Sequence, residues 1–365
     1  MNISIEKKVF IDAVSKSFRI AGKQQTALPV LSCIVIVAGD DGIKVRATNL
    51  EIGVECALPG EVHIEGVVAI PSSILSSFTN TLRGSGNISI EKKGDTISIK
   101  DGKSKTTIKT ISPDDFPTLP KVEGTPYTIQ YEKFLLGFRS VLFAASPSLV
   151  RPELAGVYLY SEGENLIFVA TDSFRLSEKK IPIPGIHSFP GIIINAKIVQ
   201  DLLKAIEGSE TLQIIINEHQ CAIIGNGVYV TSRLTEGNFP QYREIIPKSY
   251  TTHATALTAD ILHALKAISI FSDTFHKVRV SLSPKKKECL LEAHNPEAGE
   301  SIEPIDAVLE GEEVSLNFNH KYLSDVLPLI TTDSITLSSA GEGRPLVLSG
   351  TGDTSYLYLV MPMNR

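Results

Sequence analysis

The residues able to do chemistry in this 365-residue chain are scattered rather than grouped. Ser177-Glu-Lys-Lys180 spaces a hydroxyl and an amine as a Ser–Lys nucleophile pair would, but the pattern is short and its companion motifs are missing. No GxxxxGK[ST] loop is present to wrap a phosphate chain, and no GxSxG turn to present a nucleophile. Asp40-Asp41 and Asp114-Asp115 sit in turn-like contexts, where aspartates form turns far more often than they hold metals. Gly225-Asn-Gly227 and Gly341-Glu-Gly343 read as tight turns between strands. Cys33, Cys56, Cys221 and Cys289 lie far apart with no CxxC pair, and the eight histidines show no HExxH, so no zinc site is expected and the thiols read as buried. Catalysis needs a convergent acid, base and nucleophile. Their absence predicts a chain with no catalytic, metal or cofactor site, and disfavours a hydrolase built on repeated α+β units.

One grouping reads as a surface that binds rather than reacts. Leu154, Leu176, Pro240, Ile245 and the run Leu359-Val360-Met361-Pro362-Met363 gather apolar residues from the second third of the chain and its end. Of three methionines, two fall in the last five residues. Flexible, polarizable methionines suit a groove for apolar peptides, though the same residues would also serve as core.

The elements that must carry this grouping repeat along the chain. Ala47-Thr48 recurs as Ala170-Thr171 after 123 positions, and the next step reaches Ala293. Phe116-Pro117 recurs as Phe239-Pro240, and Met361-Pro362 follows at nearly the same interval. A period of this size marks copied domains rather than solenoid units. Helical spacing of apolar residues predicts helices over Glu6–Lys23, Tyr131–Ala145 and Thr258–Ser272, and second helices over Pro71–Arg83, Ala196–Glu207 and His320–Ile330. Asn195 and Asn319 are the expected N-caps. Strand-rich blocks fill the intervals, and Leu119–Pro126 and Pro247–Thr255 read as linkers. The expectation is three α+β domains, over 1–120, 127–247 and 252–365, each with two helices packed on sheet.

Composition is that of an ordinary globular protein, with no apolar run long enough to span a bilayer and no signal-peptide core in MNISIEKKVF, which predicts a cytoplasmic chain. The net charge of −6 argues against binding nucleic acid by bulk electrostatics. The predicted helices nonetheless sum to +5, leaving −11 elsewhere. Lys92–Lys109 holds six lysines against two aspartates, whereas Glu288–Glu313 holds nine acids and no Lys or Arg. A basic head and an acidic tail are complementary if one copy meets another head to tail.

At VRPELAGVYLY (Val150–Tyr160), ATDSFRLSEKK (Ala170–Lys180), SRLTEGNFPQYREIIP (Ser232–Pro247) and YLVMPMNR (Tyr358–Arg365), the sequence resembles the bacterial sliding clamps, the beta subunits of DNA polymerase III. The resemblance covers the whole chain. It implies three tandem DNA-clamp domains and a head-to-tail homodimeric ring, a processivity factor that encircles duplex DNA without sequence preference. It implies a peptide pocket formed by Leu154, Thr171, Ser173, Phe174, Arg175, Leu176, Pro240, Ile245, Leu359, Val360, Met361 and Met363, with Arg151 at its mouth. The DNA polymerase III catalytic subunit, the clamp-loader ATPase and other clamp-binding peptides would dock there. Ser173-Phe174 stands where the family often has Gly-His, which bears on peptide preference; Ala27 and Asn364-Arg365 also depart from the family pattern.

Within this reading Lys7, Lys8, Lys16, Arg19, Lys23, Arg83, Lys197 and Lys204 are the candidates to face phosphate. Lys103, Lys105 and Ile108 would meet Ile270, Phe271, Glu300 and Glu303 at the ring seam. A monomeric peptide-binding scaffold that never touches DNA is the competing possibility.

Overall fold

The structure, a computed structural model, describes residues 1–21 and 28–363. Six helices form where the apolar spacing predicts them: α1 (Lys7–Ala21), α2 (Ser72–Thr79), α3 (Tyr131–Val141), α4 (Ala196–Ala205), α5 (Thr258–Ser269) and α6 (His320–Val326). Asn195 and Asn319 cap α4 and α6, each side chain accepting the backbone N–H two residues on, at 2.9 Å. The last predicted turn of α6 tightens to a 3₁₀ turn, Leu327–Leu329, because Pro328 has no N–H to offer the helix.

Each repeat also opens with a short strand that the helical reading passes over: Asn2–Glu6, Pro126–Gln130 and Thr252–Leu257. Alternation gives them away in retrospect. Ile3 and Ile5, then Ile129, then Ala254 and Ala256, are buried while their neighbours are more exposed. The second expected linker is therefore shorter than predicted, since strand begins at Thr252.

The chain forms two compact units, one of residues 1–135 and 194–235, the other of residues 136–193 and 236–365. The first contains an eight-stranded antiparallel sheet in which Val228–Arg233, the last strand of the central repeat, pairs with Ile52–Leu58 of the first repeat. The second contains a nine-stranded sheet in which Tyr356–Val360, the last strand of the third repeat, pairs with Arg175–Pro182 of the central repeat. The same two strand positions thus make both internal seams. In the first seam Ile52 faces Ser232; in the second Arg175 faces Val360. Helices pack on these sheets, α1 against α2 and α4 in the first unit and α5 against α6 in the second.

The repeat markers divide on inspection. Strands Gly42–Thr48, Asn165–Thr171 and Glu288–Asn295 begin 123 residues apart, so the Ala-Thr marker is structural. Phe116 and Phe239 lie beyond the last strands of their repeats, whereas Met361 follows its strand directly. The Met-Pro pair is not the counterpart of the two Phe-Pro pairs. All four cysteines are buried thiols, and burial pushes Cys56 up to about 12 and Cys289 up to about 11. Among the described residues no helix is long and apolar enough to cross a membrane.

Candidate functional site

Of the apolar grouping predicted from sequence, Leu176, Leu359 and Met361 come together in the second unit, on the face of the nine-stranded sheet opposite the core of the third repeat. Antiparallel pairing sets Leu176 opposite Leu359 at the seam. Alternation then sends Leu359 and Val360 to opposite faces. Leu176 and Leu359 join Ile167, Val169, Val347, Phe239 and Tyr242 in one cluster, and Met361 packs on it half-buried. Val360 instead belongs to the core of the third repeat, so its side chain does not join that cluster. Pro240 and Ile245 flank the cluster on the segment after Phe239, with Ile245 nearly half exposed. Leu154 is buried in its own 3₁₀ turn, Pro152–Leu154.

The turn from Thr171 to Arg175 is held by a set of short-range hydrogen bonds. The Thr171 hydroxyl donates to the Arg175 carbonyl at 2.7 Å and accepts the Ser173 N–H at 3.2 Å. The Asp172 carboxylate accepts the N–H groups of Phe174 and Arg175, both at 2.9 Å. Ser173 is left-handed, with φ of 77°, a region that costs a non-glycine residue. Met361 N–H donates to the Phe174 carbonyl at 2.8 Å and Met363 N–H to Asn317 at 2.7 Å, which ties the end of the chain to the turn. Phe174 is left pointing outward, 61% exposed.

Arg175 lies under this site rather than at its surface. Its guanidinium meets Asp325 at 2.6 Å and Asp172 at 3.0 Å, 4.5 Å from the centre of the Tyr322 ring and 5.4 Å from that of Phe143. Burial works against its charge, but the two carboxylates more than offset this and hold its pKa above the usual guanidinium value. Its charge is already matched within the fold. Arg151 pairs with Glu153 at 3.0 Å. The segment carrying Pro240 and Ile245 is pinned by polar contacts. The Tyr242 hydroxyl donates to the buried Glu178, and Arg243 forks onto Glu162 with two bonds of 2.7 Å. Sequence reasoning missed Tyr322, Asp325, Val347, Tyr242 and Asn317. It also passed over Asp172, whose signal is local, three residues before an arginine; Tyr322 and Asp325 are some 150 residues away from Arg175 and had no local signal.

The basic candidates separate by burial. Lys8, Arg19, Arg83, Lys197 and Lys204 are exposed on or just after helices of the first unit. Lys7 does not belong with them: it is 4% exposed, with Nζ on Asp101 at 2.8 Å and on the Arg83 carbonyl at 2.9 Å. Lys16 is also buried and paired with Asp12 at 2.8 Å. Nine residues apart, they flank the buried face of α1 from opposite sides, and each charge is met by a carboxylate of the fold. Lys23 lies outside the described residues.

Of the seam candidates, Lys103 and Lys105 are exposed on Ser104–Lys109 and its turn, the edge strand of a five-stranded sheet. Glu300 is exposed and Glu303 half-buried on Gly299–Pro304, the edge strand of a four-stranded sheet. Ile108 is 5% exposed and packs inward, so it offers no apolar surface to a partner. Ile270 is exposed at the end of α5, whereas Phe271 is half-buried against the third core. Ile302, 56% exposed on the acidic edge strand, is the apolar group the sequence reading missed.

This architecture is that of a three-domain sliding clamp. It superimposes on the DNA polymerase sliding clamp of Bacillus subtilis with a TM-score of 0.93 and 26% identity, over 100% of this chain and 99% of that one. The fold is shared with the DNA polymerase III subunit beta of Pseudomonas aeruginosa, at TM-score 0.94 and 23% identity over the whole of both chains. The N-terminal, central and C-terminal domain models of the DNA polymerase III beta subunit match residues 1–120, 128–241 and 243–364. The beta sliding clamp of Bacillus subtilis is 30% identical over 100% of this chain and 99% of its own length, and that of Streptomyces coelicolor 26% over the same shares. The chain belongs to the DNA polymerase III beta subunit family, the sliding clamps that confer processivity in replication.

Proposed function

We propose that two copies of this chain close head to tail into a ring on duplex DNA and tether their partners through the pocket of the second unit. The carrying observation is the pair of equivalent seams. Gly53, Leu176 and Glu300 stand opposite Thr48, Thr171 and His294 in equivalent hairpins. Ser232, Val360 and Ile108 stand opposite Cys221, Leu346 and Ile97. Two of the three resulting strand pairs are made inside the chain. The third needs Gly299–Pro304 of one copy and Ser104–Lys109 of another. Both are edges, and an unpaired edge is a template for a strand.

Carried over, the register sets Ile108 opposite Gly299, Thr107 opposite Glu300 and Lys105 opposite Ile302. The Lys105 stem then covers Ile302, and its ammonium reaches diagonally toward Glu300. The charges steer this contact; exposed ion pairs add only about 0–1 kcal/mol each. A native mass near twice 39.6 kDa is expected, and a monomeric mass at micromolar concentration would sink the ring in favour of a monomeric peptide scaffold.

In this reading the domains are 1–120, 127–247 and 252–365, and the chain is a non-catalytic, cytoplasmic subunit. A closed ring is retained by topology, so weak contacts from Lys8, Arg19, Arg83, Lys197 and Lys204 suffice and carry no sequence information. Retention is expected to be long on circular DNA and short on linear DNA with free ends; equal lifetimes on both would defeat the topological claim. The DNA polymerase III catalytic subunit, the clamp loader and other partners would bring short apolar peptides to Leu176, Leu359 and Met361. Deleting residues 361–365 is expected to abolish peptide binding by calorimetry while leaving the dimer intact.

A further inference from the structure

The first internal seam carries a turn built like that of the second, over a different lining. The Thr48 hydroxyl donates to the Ile52 carbonyl at 3.0 Å and accepts the Leu50 N–H at 3.1 Å. Leu50 has φ of 76°, and Arg233 N–H donates to the Glu51 carbonyl at 2.9 Å. These contacts repeat those of Thr171 with Arg175 and Ser173, and of Met361 with Phe174. The segment after Phe116 walls this seam as the segment after Phe239 walls the other: one repeat interval separates Pro117 from Pro240 and Leu119 from Tyr242. With that wall in place, a cavity of about 260 Å³ lies open against the turn.

Its lining is polar where the other seam is apolar. Gly53 faces Thr231 where Leu176 faces Leu359, Arg233 stands in the place of Met361, and Glu51 in that of Phe174. Thr231 and Arg233 are two positions apart on one strand, and Gln220 is the direct cross-strand partner of Arg233, so the three side chains leave the same face of the sheet. Thr231 is only 4% exposed, and its hydroxyl has no hydrogen-bond partner among the described residues. The side chains of Gln220 and Arg233 line the same cavity and are likewise unpaired among the described residues. Buried hydroxyls are nearly always hydrogen-bonded, so one left over beside an open cavity points to a ligand. A guanidinium, an amide and a hydroxyl on one face are donors suited to a carboxylate.

We infer that the first seam holds a second binding site, for an extended peptide segment of a partner protein that carries an aspartate or glutamate. The carboxylate accepts from Arg233, Thr231 and Gln220, in the position where the second seam offers an apolar surface. Glu51, exposed on the rim, repels further acids and so selects a single acidic residue over an acidic run. The carboxylate class rests on these side chains. That the ligand is a peptide rests on the proposed role of the equivalent pocket at Met361.

The test uses the full chain in a Met361→Ala background, which keeps the other pocket out of the measurement. The probes are pools of end-blocked pentapeptides with Asp, Asn or Leu fixed at the centre, and a single end-blocked aspartate, each read by retention on the immobilised chain. The Asp pool is expected to be retained about tenfold more strongly than the Asn pool. Arg233→Gln is expected to erase that preference, Thr231→Val to reduce it several-fold, and Glu51→Gln to strengthen retention. Arg233 and Glu51 are exposed, and Thr231→Val removes only an unpartnered hydroxyl, so all three variants are expected to keep the native urea midpoint or exceed it. Equal retention of the Asp and Asn pools, stronger retention of the Leu pool, or a preference that survives Arg233→Gln overturns the site. A single blocked aspartate retained as strongly as the Asp pool overturns the peptide class. If apolar partner peptides prove indifferent to Met361→Ala while the Asp pool behaves as expected, the reading of the Met361 pocket falls and this site stands.

Discussion

Phe174 shows how a backbone can fix what a side chain is for. Its N–H and carbonyl are both engaged, by Asp172 and Met361, so its ring has no inward path and stands on the rim of the pocket. An aromatic there rewards a peptide that brings apolar surface to it. Phe174→Ala is expected to weaken apolar peptide binding about tenfold, the worth of roughly 1.4 kcal/mol of buried surface, by calorimetry. Ser173→Gly separates conformation from contact: removing the left-handed penalty is expected to stabilise the protein by roughly 1 kcal/mol in denaturant titration and leave peptide affinity unchanged. Arg175 is different again, because two carboxylates and two rings depend on it. Arg175→Ala is expected to cost about 2 kcal/mol of stability and to lower peptide affinity through the collapsed floor.

At the scale of elements, the close approach of α3 to its sheet depends on one missing side chain. A Cβ on Gly137 would collide with the ring of Phe168, which is fully buried and cannot yield. Gly137→Ala is expected to destabilise by about 1–3 kcal/mol, seen as a lower urea midpoint. The start of α6 carries a pH dependence. Burial lowers the pKa of His320, and His276, at 5.3 Å between ring centres, and Lys321 lower it further, with Asp325 opposing. The folded state therefore binds the proton less readily than the unfolded chain, whose histidine titrates near 6.5. Stability from this group is complete above about pH 6.5 and is lost as the pH falls toward the folded value. Melting between pH 7.5 and 5.5 is expected to shift less in His320→Gln than in the native chain; an identical shift would remove His320 as the cause.

At the scale of the whole molecule, one pairing scheme is used at both internal seams, and the proposed ring would use it once more. The register makes a residue-level prediction. In the proposed ring Thr106 of one copy would face Ser301 of the next, so a chain carrying Thr106→Cys and Ser301→Cys is expected to form covalent dimers on mild oxidation. Moving one cysteine two residues along, to position 303, is expected to abolish most of the cross-linking. The native thiols are buried and do not compete. Dimers that cross-link equally from both positions would show a seam without this register.

The sequence by itself determined what is periodic and local. Apolar spacing set six helices, asparagines set two caps, the 123-residue interval set three repeats, and uneven charge marked a basic and an acidic edge. The apolar cluster at the second seam was legible because Leu176, Leu359 and Met361 have no polar alternative to burial. Tertiary structure decided everything that depends on which strand lies beside which. Pairing alone brings Arg175 to Asp325 and Tyr322, and alternation alone turns Val360 into a core while Leu359 faces the pocket. Lys7 and Lys16 look like free helix charges in a chain, and in the fold both are buried and paired with carboxylates. The physical reason is the same in each case. Helix periodicity is a property of neighbours in sequence, whereas a seam is chosen by the hydrogen-bonding edges of strands more than a hundred residues apart.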